Sequence, residues 1–229
     1  MAQIKVFRFN ALEANCIVLR RDGRDDCIVI DPGMYTDDEA SALKAYLSGN
    51  NLTPAAILLT HGHFDHIFGV HYFPGVRVCM HPADKAVVKG SEEYIPRKRR
   101  EAGDFRFPTV DIEDGEILEI AGLRLRVIHT PGHTPGGVCY YLEDDNLLIA
   151  GDTLFAGSIG RTDLPGGDYD ALMDSLLRKV LALPGDTDVL PGHGMMTNIA
   201  REAMTNPFLQ PFNEPDGAPD EGLLIDGLL

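Results

Sequence analysis

The amino-acid sequence predicts one compact domain of mixed α and β structure with a short tail. Three observations carry this. The chain has 229 residues, 44% of them hydrophobic, which suffices for one sizeable core. Apolar or alternating runs of strand length recur between Gly, Pro, Asn and Asp. Two longer stretches, after Thr36 and after Tyr169, carry apolar residues at helical spacing instead.

Taken in order, 4–9 and 15–20 alternate apolar and polar residues, and 27–30 is a continuous apolar run. These read as three strands joined by turns at Asn10-Ala11 and Asp22-Gly23, the third leaving through Asp31-Pro32-Gly33. Thr36 or Asp37 caps a helix through Leu43 and Tyr46 that stops near Gly49. Residues 55–59 form a buried strand, 65–72 a short helix, and 76–80 another strand; Pro82 opens a further helix. Residues 91–110 are irregular and carry Arg97 to Arg100, read either as a solvated basic face or as a flap at the mouth of a site. Strands follow at 117–120 and 123–128 around Ala121-Gly122, and at 138–142 and 147–150 around Asp144-Asp145. A helix spans 169–183, Val189-Leu190 is a short strand, and 198–204 is a last helix. The body is expected to occupy 1–206 and a tail 207–229, whose apolar end docks on the body or on a second subunit.

Lys plus Arg is 20 and Asp plus Glu 35, a formal charge of -15, which argues against nucleic acid and anionic membranes as partners. No apolar run approaches the roughly 18 residues of a membrane span, and the N-terminus lacks a basic region followed by a long apolar one. Cys16, Cys27, Cys79 and Cys139 each sit in an apolar stretch, as reduced core cysteines do in a reducing compartment. The expectation is a soluble cytoplasmic protein acting on a small molecule.

The most informative stretch is Thr60-His61-Gly62-His63-Phe64-Asp65-His66, directly after the 55–59 strand. Three imidazoles and a carboxylate within six residues are ligands suited to zinc and similar divalent metals. Later stretches have the same character: His129-Thr130-Pro131-Gly132-His133, Gly151-Asp152-Thr153 and Pro191-Gly192-His193-Gly194. Glycine or proline beside each polar residue indicates a tight turn that aims one side chain.

In order, spacing and motif content these residues resemble the metallo-β-lactamase superfamily, from about residue 4 to 205. The resemblance implies an α+β fold, the αβ/βα four-layer sandwich of two facing mixed sheets with helices outside. It implies two divalent metal ions, zinc first and iron or manganese as alternatives. His61, His63 and His133 would bind one ion, Asp65, His66 and His193 the other, and Asp152 would bridge them. Ions about 3.5–4 Å apart would make water acidic enough to attack at neutral pH, with Asp65 also orienting that nucleophile. Asp31, not a ligand in the family pattern, is expected either to hydrogen-bond a ligand or its loop or to cap a turn. His71, His81 and His129 are read as structural.

Within the superfamily, Phe155 to Leu164, a glycine-rich loop carrying Arg161, resembles glyoxalase II and its short bacterial relatives. That implies thioester hydrolysis, with Arg161 meeting a carboxylate of the glutathione portion; the plainer reading pairs Arg161 with Asp163. The longer members carry a helical C-terminal domain, whereas only 36 residues follow His193 here, and Met195-Met196 stands where they have a tyrosine. The alternative is a persulfide dioxygenase, which shares Gly160 to Asp163 and uses one iron held by the equivalents of His61, His133 and Asp152. True β-lactamases often lack the bridging aspartate.

Overall fold

The computed structural model describes residues 1–95, 97 and 106–210. Most of the expected basic segment 97–100 and of the tail lies outside these residues. Two six-stranded sheets face each other. The first contains β1 (Ala2–Phe9), β2 (Ala14–Arg21), β3 (Asp26–Ile30), β4 (Thr53–Leu58), β5 (Val78–Met80) and β6 (Thr109–Asp111), in that order. The second contains β7 (Ile117–Ile120), β8 (Leu123–His129), β9 (Val138–Leu142), β10 (Leu147–Gly151), β13 (Asp188–Pro191) and β14 (Thr197–Asn198), ordered 14-13-10-9-8-7. Between them in sequence, β11 (Leu154–Phe155) and β12 (Ser158–Ile159) make a small separate hairpin.

The central strands are apolar throughout because both their faces are covered. In β2, Ile17 and Leu19 point between the sheets while Cys16 and Val18 point to an outer layer. In β10, Leu147 and Ile149 point inward and Leu148 and Ala150 outward. The period-2 alternation thus sorts each strand between two cores. The first outer layer is α1 (Asp37–Gly49), which buries Ala40, Leu43 and Leu47. It starts at a capping box in which Thr36 accepts from the Glu39 amide and Glu39 returns to the Thr36 amide. The second outer layer is α4 (Tyr169–Ser175), preceded in sequence by α2 (Phe64–Ile67) and α3 (Lys85–Ser91) and followed by α5 (Ile199–Thr205).

The expected helix 169–183 differs in one respect: Leu176–Val180 is a π turn. Leu172, Leu176 and Val180 are four apart and all fully buried. Such positions drift around a helix of 3.6 residues per turn, and the wider turn cancels the drift. Thr109–Asp111, the 154–159 hairpin and Thr197–Asn198 are strands that periodicity did not reveal, each only two or three residues long. The residues between 65 and 72 form a single α turn and a 3₁₀ turn rather than one helix. Leu209, past the expected end of the body, is fully buried in the second outer core. All four cysteines are free and buried. Among the described residues no helix is long and apolar enough to cross a membrane.

Candidate metal centre

Topology delivers the polar residues to one edge. β3 and β4 are parallel, as are β10 and β13, and β8 and β10 are both antiparallel to β9. The C-terminal ends of β3, β4, β8, β10 and β13 are followed by Asp31, the 60–66 loop, His133, Asp152 and His193 respectively. The two sheets are stitched together beside this edge. Tyr140 donates its hydroxyl to the Leu59 carbonyl at 2.7 Å, and the Val138 amide donates to the Thr60 carbonyl at 2.8 Å. Asn15 in β2 donates to the carbonyls of Pro191 and Gly194, at 2.9 and 3.2 Å.

Seven side chains converge there, two triads and Asp152. The donor atoms of His61, His63 and His133 lie within 4.8 Å of one another, and so do those of Asp65, His66 and His193. His63 Nδ1 is 2.9 Å from His133 Nε2, and His66 Nε2 is 3.2 Å from His193 Nε2. Asp152 reaches both triads: one carboxylate oxygen is 3.5 Å from His66 Nε2, and the other is 3.5 Å from both His133 Nε2 and His193 Nε2. Close approach of Gly192 makes this possible, since a Cβ there would stand 2.0 Å from Asp152 Oδ1.

The tautomers follow from the other ring nitrogens. His133 Nδ1 is 2.7 Å from the Arg161 carbonyl, and His193 Nδ1 is 2.8 Å from the Leu12 carbonyl. A carbonyl only accepts, so Nδ1 carries the proton and Nε2 presents a lone pair to the site. His66 Nδ1 faces Asp31 Oδ2 at 2.9 Å, so Nε2 is the nitrogen it turns towards the site. The Thr60 hydroxyl donates to Asp31 at 2.6 Å and lies 3.0 Å from His61 Nδ1, which turns His61 Nε2 inward. That His61 atom and Asp152 Oδ1 are buried with no hydrogen-bond partner. Buried acceptors left without a hydrogen-bond partner are costly unless a cation answers them. The donor set of imidazole nitrogens and carboxylate oxygens therefore fits divalent transition metals. A third grouping, Asp31 with His61 and His66, is less suited, because both Asp31 oxygens are already engaged by Thr60 and His66.

Electrostatics differ across the cluster. Burial pushes His61 well below the usual histidine range, and burial with His133 lowers His63 to about 4. Burial also opposes charge on His66, yet Asp65, Asp152 and Asp31 together raise it to about 10. Asp65 is lowered to about 2, because His66 and His193 outweigh the effect of burial.

The sequence-predicted ligands are thus together, and Asp31 touches both His66 and Thr60. Arg161 forks its guanidinium onto Asp163 at 2.7 and 2.8 Å. His81 and His129 stack on each other with centroids 4.0 Å apart, outside the two triads. Sequence reasoning missed Asp84 and Asn10. The fully buried Asp84 carboxylate accepts from the Gly62 amide at 2.7 Å, the Thr134 hydroxyl at 2.8 Å and the Gly136 amide at 2.5 Å. It thereby ties the loop of His61 and His63 to that of His133. Asn10 donates to the Asp65 and Gly33 carbonyls, each at 2.9 Å. In sequence Asp84 looks like an ordinary helix cap after Pro82 and Asn10 like a turn residue; neither carries a local signal of these long-range bonds.

A cleft of about 1170 Å³ opens onto the triads, with His63, Asp65, His133, Asp152 and His193 in its floor.

Comparison with known proteins is consistent with this centre. The chain is 34% identical over 220 residues to the Haemophilus influenzae protein named hydroxyacylglutathione hydrolase GloC, covering 90% of this chain and 97% of that one. It resembles the solved structure of BLEG-1 B3 metallo-beta-lactamase with a TM-score of 0.74 and 37% identity, covering 90% of this chain and 99% of the other. TTHA1623, solved in a di-iron-bound form, matches with a TM-score of 0.75 and 36% identity, covering 90% of this chain and all of that one. The family model described as the metallo-beta-lactamase superfamily matches residues 10–193, and the chain belongs to that superfamily.

Proposed function

We propose that this chain is a metal-dependent thioester hydrolase of the glyoxalase II type. The observation that carries the reading is the pair of triads sharing Asp152, with the imidazole lone pairs directed inward by partners on the other ring nitrogen. In this reading His61, His63 and His133 would hold one divalent ion and Asp65, His66 and His193 the other, with Asp152 within reach of both triads. Held there, two such ions would supply an acidic water for attack at neutral pH and positive charge for the oxyanion. The hydroxyacylglutathione hydrolase name of the Haemophilus relative supports thioesters as the substrate class. The di-iron form of TTHA1623 supports a centre of two ions.

The chain's own groups do the rest. Asp65, held ionised by His66 and His193, accepts a hydrogen bond from the attacking water and orients it towards the carbonyl carbon. Asp31 and the carbonyls of Leu12 and Arg161 fix three of the imidazoles, so the pocket does not reorganise as charge develops. A C–O bond forms and the C–S bond breaks. The electron pair leaves on sulfur, which takes one proton; the carboxylic acid releases the other to solvent.

Metal content per chain, measured with thioester hydrolysis after reloading with zinc, iron or manganese, tests this. Two ions per chain and release of free thiol are expected. One iron that stays at one despite excess metal, with oxygen consumed on adding a persulfide, would replace the reading with the dioxygenase. Hydrolysis of a β-lactam but of no thioester would replace it with the activity named for BLEG-1.

A further inference from the structure

One wall of the cleft is the β11–β12 hairpin, which contributes Phe155, Ala156, Ser158 and Ile159 to the lining. Its two residue pairs, Leu154 with Ile159 and Phe155 with Ser158, join neither large sheet. A two-stranded hairpin is marginal by itself, so tethers must hold it. Its feet are tied to the metal centre. The Gly160 amide donates to the Thr153 carbonyl at 3.2 Å, and a Cβ at Gly160 would stand 2.0 Å from the Asp152 carbonyl oxygen. The next carbonyl, that of Arg161, accepts from His133 Nδ1. Leu154 and Ile159 are buried in the second outer core.

The tip is held from elsewhere. Glu202 in α5 is fully buried. Its Oε2 accepts from the Gly157 amide at 2.8 Å and from Asn206 Nδ2 at 2.9 Å, and its Oε1 accepts from the Thr197 hydroxyl. Asn206, also fully buried, donates from the same nitrogen to the Ser158 carbonyl at 3.0 Å. Two backbone groups of the tip are thus gripped by side chains 45 and 48 residues further on. Phe155, paired with Ser158, has its ring centroid 6.3 Å from that of His193. Burying a carboxyl group is costly, and an apolar residue would pack α5 without that cost. What Glu202 adds is the placement of the tip.

We infer that Glu202, with Asn206 beside it, is a positioning residue for the substrate: it clamps the hairpin tip so that Phe155 and Ser158 stand as a preformed wall beside the triads. The inference rests on the thioesterase reading. Because Leu154, Ile159 and Gly160 hold the feet separately, the clamp governs how substrate is received and not whether ions are bound. Without the clamp, substrate must order the tip as it binds, which costs about one net hydrogen bond, or about tenfold in affinity.

The test uses the metal-loaded, full-length protein with S-lactoylglutathione as the probe. Glu202→Ala should raise KM by about tenfold while kcat changes by less than about threefold. Elemental analysis should find the ion count of the wild-type protein, and exchange of the Gly157 amide, followed by NMR, should quicken. Glu202→Gln should recover most of the lost affinity, since its oxygen accepts from Gly157 and Asn206 while its nitrogen donates to the Thr197 hydroxyl oxygen. Asn206→Ala removes the bond to Ser158 and leaves the one from Gly157, so KM should rise by about threefold; this variant decides the matter if Glu202→Ala does not fold. An unmoved KM in the folded variants, or loss of ions from them, overturns the inference while leaving the hydrolase reading intact. Loaded wild-type protein that releases no thiol from the probe overturns both.

Discussion

The two triads are built alike and charged differently. His61, His63 and His133 include no carboxylate, and burial holds His61 and His63 below the ordinary histidine range. Asp65, His66 and His193 include one, with Asp31 behind it, and His66 is raised to about 10. The first triad therefore resists protons and the second attracts them, although they are joined by one aspartate. The carboxylate in the second triad, with the charge it brings, distinguishes them. The first triad has no carboxylate of its own, and Asp152 is the carboxylate that reaches His133 at 3.5 Å, so this triad is the one expected to depend most on that residue.

Replacing Asp152 is thus the strongest way to break the symmetry. On the proposed thioesterase reading, Asp152→Asn should lower hydrolysis by about a thousandfold, the scale of losing a principal electrostatic group in a water-poor site. Elemental analysis should show the ion count falling towards one. A variant with two ions and full activity would remove Asp152 from the space between the triads. The next largest effect is expected at Asp84, which anchors the first triad only. Asp84→Ala strands three buried donors, from Gly62, Thr134 and Gly136, and should cost about 3 kcal/mol of stability in chemical denaturation. Weaker metal retention should accompany that loss; unchanged stability and metal content would deny Asp84 its anchoring role.

The mildest effect separates the triads by pH. In metal-free protein His66, raised above its unfolded value, contributes stability that is full below about pH 6.5 and lost as pH rises through about 10. His63, lowered to about 4, contributes in the opposite sense: its folded state is favoured above about pH 6.5 and penalised as pH falls towards 4. The Tm of chelated protein should therefore slope down towards both ends of this range. His66→Gln should flatten the alkaline limb and His63→Gln the acid limb. Equal effects of both variants on both limbs would show that the triads do not titrate separately.

Much of this was legible in the chain. The 60–66 loop, His133, Asp152 and His193 are each flagged by a strand before them and by neighbouring glycine or proline, and the structure collects them at one edge. The paired cores were partly legible, since unbroken apolar strands such as 27–30 require cover on both faces. What stayed hidden depends on distance along the chain. Asp84 bonds Gly136 from 52 residues away, and nothing beside it distinguishes it from a helix cap. The short strand Thr197–Asn198 has too few residues to show a period, and the π turn comes from the demand of a sheet face rather than from local preference. Arg161 was read in two ways, and the fork onto Asp163 is the one the structure contains.

His66 and His193 are separated by 127 residues, yet their ring nitrogens meet at 3.2 Å. During synthesis the 60–66 loop emerges long before the strand that carries His193. A nascent chain thus exposes half a site with no closing partner, and ion capture must follow assembly of the second sheet. The free energy of capture then adds to that of folding. Cells starved of the metal would lose this protein through turnover of its unfastened form as much as through inactivity.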